Sequence, residues 1–240
     1  VVFQDRRHAG RELAALLLGL AHERPIVLGL PRGGVPVAVE VALALDAPLD
    51  VLTVRKLGAP RNPELAVGAV AEDGTAVLNT ASARGVGMTQ AQLDGVIERE
   101  TRELHRRTER FRDGWDPLEV QGRTVIVVDD GLATGLSDLA AVRALRRRGA
   151  ARIVVAVPVG SPQAVAMLGE EADEVVCHTT PPELLGVGAW YEDFRPVSDE
   201  EVLALLAAAG VRVPPAAKSS DMTTGPHAAR SDVAHARHRR

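Results

Sequence analysis

The chain is short of cysteine, of aromatic residues and of any excess of positive charge, and each scarcity removes a class of architecture or partner. Cys177 is the single cysteine among 240 residues, so neither an intrachain disulfide nor a cysteine-built zinc cluster is available. Two Trp, one Tyr and three Phe make up 2% of the chain, so Ala, Val and Leu must form the core. The formal net charge is −4; nothing in the bulk suits a polyanion surface, and nucleic acid is not an expected partner. No apolar run reaches the roughly 18 residues of a membrane span, so no membrane partner is expected either. The opening VVFQDRRHAG lacks the apolar core of a signal peptide, which makes the cytoplasm the expected compartment.

What is present is ample for one large domain. The hydrophobic fraction is 46%, and small aliphatic residues suit parallel strands covered on both faces. Residues 7–22 predict a helix, with Leu13, Leu16, Leu17 and Leu20 at helical spacing. The strand 26–30, the helix 35–45 and the strand 49–54 follow as a β-α-β opening. Residues 55–86 are less regular and contain a hairpin with Glu72-Asp73-Gly74-Thr75 at its turn. A charged helix is expected over 89–112, capped by Thr89. Alternation then resumes: strand 124–128, helix 137–148, strand 153–157, helix 162–168, an edge strand 174–177, and a last helix 199–209 capped by Ser198. This pattern predicts an α/β fold, a doubly wound and mostly parallel sheet with helices on both faces. Residues 1–213 are expected to form the domain. From residue 214 onward large apolar side chains all but vanish, and a disordered tail is expected over 214–240.

One segment concentrates chemistry. In VIVVDDGLATGLS, residues 125–137, four β-branched residues form a buried strand, and Asp129 and Asp130 follow at its C-terminal end, where open α/β sheets bind ligands. Gly131 and Gly135 let the backbone turn and approach a ligand. The amides of Ala133, Thr134 and Gly135, with a helix N-terminus behind them, make an anion cradle to which Thr134 and Ser137 can add hydroxyls. Acceptors for sugar hydroxyls thus stand beside donors for a phosphate. The plainer alternative is a strand-turn-helix whose acids cap the helix and face water. Rival motifs are absent: there is no GxxxxGK[ST], no GxGxxG, no H-E-x-x-H and no G-x-S-x-G.

VIVVDDGLATG resembles the 5-phosphoribosyl 1-pyrophosphate (PRPP) signature of the type I phosphoribosyltransferases, two acids followed by a G-x-A-T-G loop. The resemblance implies that fold, with a small hood and an inserted hairpin and helix. It also implies an Mg²⁺-dependent pentosyl transfer from PRPP to a nucleobase-like small molecule, with nucleotide salvage as the natural setting. Asp129 and Asp130 would bind the ribose hydroxyls, act near the reacting carbon and help hold the metal. Gly131, Ala133, Thr134, Gly135 and Ser137 would hold the 5-phosphate.

Three further patches carry the resemblance. GLPRGGVPVA, residues 29–38, looks like the pyrophosphate loop: Arg32 and the exposed amides of Gly33 and Gly34 would meet the diphosphate, with a cis peptide at Pro31-Arg32 or Arg32-Gly33. Arg55 and Lys56, at the end of a strand, look like the basic pair that contacts the diphosphate, and the long segment after them, residues 57–115, occupies the place of the mobile lid or of a fixed cover. VGAWYEDF, residues 187–194, looks like the hood, where Trp190 or Tyr191 would stack on the base and Asp193 would hold Mg²⁺; these aromatics could equally be core. Catalysis would rest on Asp129, Asp130, Arg32 and Lys56. Homodimers are common in the family. A non-catalytic PRPP- or nucleotide-binding regulator, and a hydrolase of phosphoribosyl compounds, are the alternatives that share the same site.

Overall fold

The computed structural model describes residues 2–59, 62–112 and 116–209. The expected tail, residues 214–240, lies outside the described residues.

The chain opens with α1 (Arg6–Leu17), whose N-cap Asp5 accepts from the His8 N–H at 2.7 Å. The helix then tightens into a 3₁₀ turn over Leu18–Glu23, so the single helix expected over 7–22 is two pieces. Next come β1 (Ile26–Gly29), α2 (Gly34–Leu45) and β2 (Leu49–Val51). After the insert described below, β6 (Thr124–Val128), α5 (Leu136–Arg147), β7 (Arg152–Val159), α6 (Pro162–Gly169) and β8 (Glu174–Thr179) complete the main layer. The sheet order is β2-β1-β6-β7-β8, all parallel. The expected α/β fold is therefore the observed one.

The periodicity of two along β6 divides the core. Val125 and Val127 face α5 and α6, whereas Ile126 and Val128 face α1, α2 and the last helix, α7 (Asp199–Ala208). These four side chains are fully buried, each contributing about 1.5–3 kcal/mol. A central strand buried on both faces needs the continuous β-branched run that VIVV supplies. Ser198 caps α7 in a reciprocal box with Glu201.

The insert is more ordered than its sequence suggests. Strands β3 (Val54–Ala59), β4 (Asn62–Ala71) and β5 (Ala76–Leu78) form a second, antiparallel sheet, with the expected turn at 72–75 between β4 and β5. A short α3 (Thr80–Gly85) and the long α4 (Gln90–Arg112) follow. The α4 entry is a reciprocal cap: the Gln92 N–H donates to Thr89 Oγ1 and the Thr89 N–H to Gln92 Oε1. Leu57, Val67, Val70, Leu93, Val96 and Leu104 give the insert its own apolar core, and β4 also packs on α5. One correction concerns β3. Arg55 and Lys56 do not end the strand that begins at Leu49; β2 stops at Val51, and the basic pair lies inside the second sheet.

Candidate functional site

The C-terminal ends of β1 and β6 lie side by side, and the two motifs meet there. Leu30 donates its N–H to Val128 O at 2.9 Å, which fixes the start of the PRGG turn against the end of VIVV. The approach is so close that only glycine fits. A Cβ on Gly33 would lie 1.9 Å from Asp130 Oδ2, and one on Gly34 would lie 2.5 Å from Val128 O and 2.8 Å from Asp129 Cα. The peptide Pro31-Arg32 is cis, one of the two positions expected from sequence.

The loop after the acids is braced from behind and open in front. Leu132 donates to Val159 O at 2.8 Å, Ser161 donates to Leu132 O at 2.9 Å, and Ser161 Oγ donates to Ala133 O at 2.9 Å. Gly135 has φ +71 and caps α5; a Cβ there would also meet Met167 Cε at 2.9 Å. Among the described residues, the N–H groups of Ala133, Thr134 and Gly135 have no acceptor. Three free amides in a row at a helix N-terminus form an anion nest. Val187 closes one side, since a Cβ on Gly131 would lie 2.5 Å from its Cγ1.

The acids touch one another. Asp129 Oδ1 accepts from the Asp130 N–H at 2.8 Å. Burial, then the neighbouring Asp138 and Asp130 carboxylates, drive Asp129 well above the ordinary carboxylate range. Burial also raises Asp130, against the Arg6 guanidinium, whose Nε donates to Asp130 Oδ2 at 2.8 Å. Asp138, in the first turn of α5, is only 2% exposed, and among the described residues its Oδ1 has no hydrogen-bond partner. Burial pushes it up to about 7, with Asp130 adding to the rise. Lys56 opposes the rise in all three.

The other expected residues divide. Of the pyrophosphate-loop amides, those of Arg32 and Gly33 have no acceptor among the described residues, but Gly34 donates to Leu30 O at 3.0 Å. The expected exposed amide of Gly34 is therefore already used. The Arg32 side chain is half-exposed and reaches Asp199 at 3.7 Å. Arg55 and Lys56 project to opposite faces of β3, as successive strand residues must: Arg55 pairs with Glu100 on α4, while Lys56 acts on the acids. In the hood, Trp190 is partly exposed, but Tyr191 is 6% exposed and packed against Phe3 and Phe194, with its hydroxyl donating to Asp130 O at 2.7 Å. The ring expected to stack on a base is thus a core ring that braces an acid. Asp193 turns back to Arg195, accepting from its N–H at 3.1 Å. Among the described residues no group of three His, Cys, Asp or Glu could hold a metal, so Asp193 does not join Asp129 and Asp130 in one cluster.

Sequence reasoning missed Arg6 and Asp138. Nothing local marks Arg6, which lies 124 positions before its partner. A signal existed for Asp138: it stands three, four and seven residues before Ala141, Val142 and Leu145, on the buried stripe of α5.

Comparison with known proteins identifies the family. The family model described as "Phosphoribosyl transferase domain" matches residues 4–181. A Mycobacterium tuberculosis protein provisionally named phosphoribosyl transferase is 51% identical over 205 residues, covering 85% of this chain and 46% of that protein. The chain thus spans about half the length of this relative. Orotate phosphoribosyltransferase of Streptomyces coelicolor is 33% identical over 121 residues, covering 50% of this chain and 57% of that enzyme. The crystal structure of TT1426 from Thermus thermophilus superposes with a TM-score of 0.73 at 48% identity, covering 87% of this chain and 99% of that one. Fold, motif and relatives agree, and the chain belongs to the phosphoribosyltransferase family.

Proposed function

We propose that the chain transfers the 5-phosphoribosyl group of PRPP to a nucleobase-like acceptor and releases pyrophosphate, with Mg²⁺ as the accompanying cation. One juxtaposition carries the reading: two acids packed on a glycine turn, beside three consecutive amides that have no acceptor among the described residues. The amides of Ala133, Thr134 and Gly135, with the Thr134 and Ser137 hydroxyls, take the 5-phosphate. Asp129 and Asp130 accept from the ribose hydroxyls. The Arg32 and Gly33 amides and the Lys56 ammonium take the diphosphate. Trp190 remains as the aromatic available to the acceptor, since Tyr191 is committed to the core.

The donor set fits a magnesium ion that arrives with the diphosphate. Two adjacent carboxylates, without a third ligand grouped beside them among the described residues, suit a cation that keeps its waters and is shared with substrate phosphates. Asp129 and Asp130 would hold it; when bound, the ion offsets charge on the leaving diphosphate. The rest of the work belongs to the chain. As the bond from C1 to the diphosphate oxygen breaks, the sugar gains positive charge, which the Asp129 and Asp130 carboxylates face. A bond from C1 to an acceptor nitrogen forms, and that nitrogen loses its proton. Holding the 5-phosphate and the diphosphate at opposite ends of the ribose fixes C1 in line with the acceptor, so no covalent nucleophile is required.

A pyrophosphate-release assay across purine and pyrimidine bases tests this. The expected result is release that depends on PRPP, Mg²⁺ and one base, and that falls by at least about a hundredfold in Asp129→Asn/Asp130→Asn. Release without any base would instead mark a hydrolase. PRPP binding without release on any base would mark a regulatory binding module.

A further inference from the structure

Asp130 does not stand free in the site. Its carboxylate is held by Arg6, a residue of the first helical turn of the chain and itself buried. The guanidinium has little freedom: Nε donates to Asp130 Oδ2 at 2.8 Å, Nη1 donates to Arg195 O at 3.0 Å, and its carbon sits 3.9 Å above the centre of the Phe194 ring. The same hood segment reaches the other side of the acid, where Tyr191 Oη donates to Asp130 O at 2.7 Å. Phe3, fully buried against Tyr191, donates its N–H to Trp190 O at 2.8 Å. The N-terminal segment and the hood thus form one clamp. It grips both the backbone and the side chain of the second acid.

The chemistry of this clamp is specific. A planar fork stacked on a ring and tied at two nitrogens sets the direction of its partner's carboxylate. With Oδ2 turned to Arg6 and packed against Gly33, Oδ1 is the oxygen left to a ligand. A carboxylate free to rotate would be a less selective acceptor for a sugar hydroxyl.

We infer that Arg6 is a positioning residue: held by Phe194 and the Arg195 carbonyl, it aims Asp130 at one ribose hydroxyl and thereby sets the preference of the site for ribose over deoxyribose phosphates. The inference rests on the phosphoribosyl reading of the site. It also gives the hood a role that does not depend on contact with the acceptor.

The test compares the affinities of ribose 5-phosphate and of its 2-deoxy and 3-deoxy counterparts, measured by calorimetry on wild type, Arg6→Gln, Asp130→Asn and the double variant. Wild type should prefer the full ribose over one deoxy sugar by at least about tenfold, the scale of a hydrogen bond to a charged group. Asp130→Asn should abolish that preference, and Arg6→Gln should reduce it to about threefold or less while leaving the affinity for the deoxy sugar and for inorganic phosphate in place. The double variant should match Asp130→Asn, since Arg6 acts through that acid. Should Arg6→Gln not fold, Arg6→Lys is measured instead: it keeps the charge, loses the fork, and should also lower the preference. Undiminished discrimination in the Arg6 variant, or a double variant far worse than Asp130→Asn, overturns the inference alone. A wild type that binds none of these sugar phosphates overturns the phosphoribosyl reading and this inference with it.

Discussion

Gly33 and Gly34 are adjacent and alike in sequence, yet their surroundings predict different failures. A methyl group on Gly34 meets backbone, Val128 O at 2.5 Å and Asp129 Cα at 2.8 Å, and backbone in a packed sheet cannot easily yield. Gly34→Ala should therefore cost about 1–3 kcal/mol of stability, read from urea denaturation. A methyl group on Gly33 instead meets the Asp130 carboxylate oxygen that Arg6 holds. Gly33→Ala should therefore dislodge that carboxylate from Arg6, lowering the urea midpoint and weakening PRPP binding directly. Asp138 makes a prediction about pH. Its folded-state value lies near 7, above the ordinary carboxylate value of about 3.9. Between about pH 4 and 7 the folded protein holds a proton that the unfolded chain has lost, so stability falls as pH rises through that window. Asp138→Asn removes this contribution. The variant should gain about 1–3 kcal/mol relative to wild type on going from pH 5 to pH 8, measured by denaturation at both values.

Elements differed in how plainly the sequence announced them. β6 and α5 were legible because VIVV is a continuous β-branched run and Gly135 marks the helix start. The caps of α4 and α7 were legible because Thr89 and Ser198 immediately precede helical stretches. β3 was not. Its sequence, VRKLGA, mixes long cations with Gly and Ala, and its strand state comes from pairing with β4, not from local propensity. α3 is six residues long and too short to show a period. The insert nonetheless has a core of its own, and Leu104 is fully enclosed in it. Leu104→Ala should cost about 2–5 kcal/mol. In hydrogen exchange the loss of protection should fall on β3, β4 and β5, with the β6 amides the least affected. Uniform loss across both sheets would mean that the insert and the main layer open as a single unit.

At the scale of the whole molecule, the candidate site is an assembly of five distant segments. The acids and the anion nest follow β6, the glycine turn follows β1, Lys56 comes from the insert, and Arg6 and Tyr191 close in from the two ends of the described chain. The first two were visible because each is a compact string with its own turn chemistry. The clamp was not, because a lone arginine in an N-terminal helix carries no mark of a partner 124 positions away. The sequence leaves Tyr191 open between a stacking ring and a core ring, and only its packing against Phe3 and Phe194 decides for the core. All of these segments converge on one proposed ligand. The most direct measurement is calorimetric titration of PRPP with Mg²⁺ into wild type and into Asp129→Asn/Asp130→Asn. Saturable one-to-one binding by wild type that weakens by at least about a hundredfold in the double variant is the predicted result. A folded wild type that does not bind PRPP, or a double variant that binds it equally well, would contradict the account.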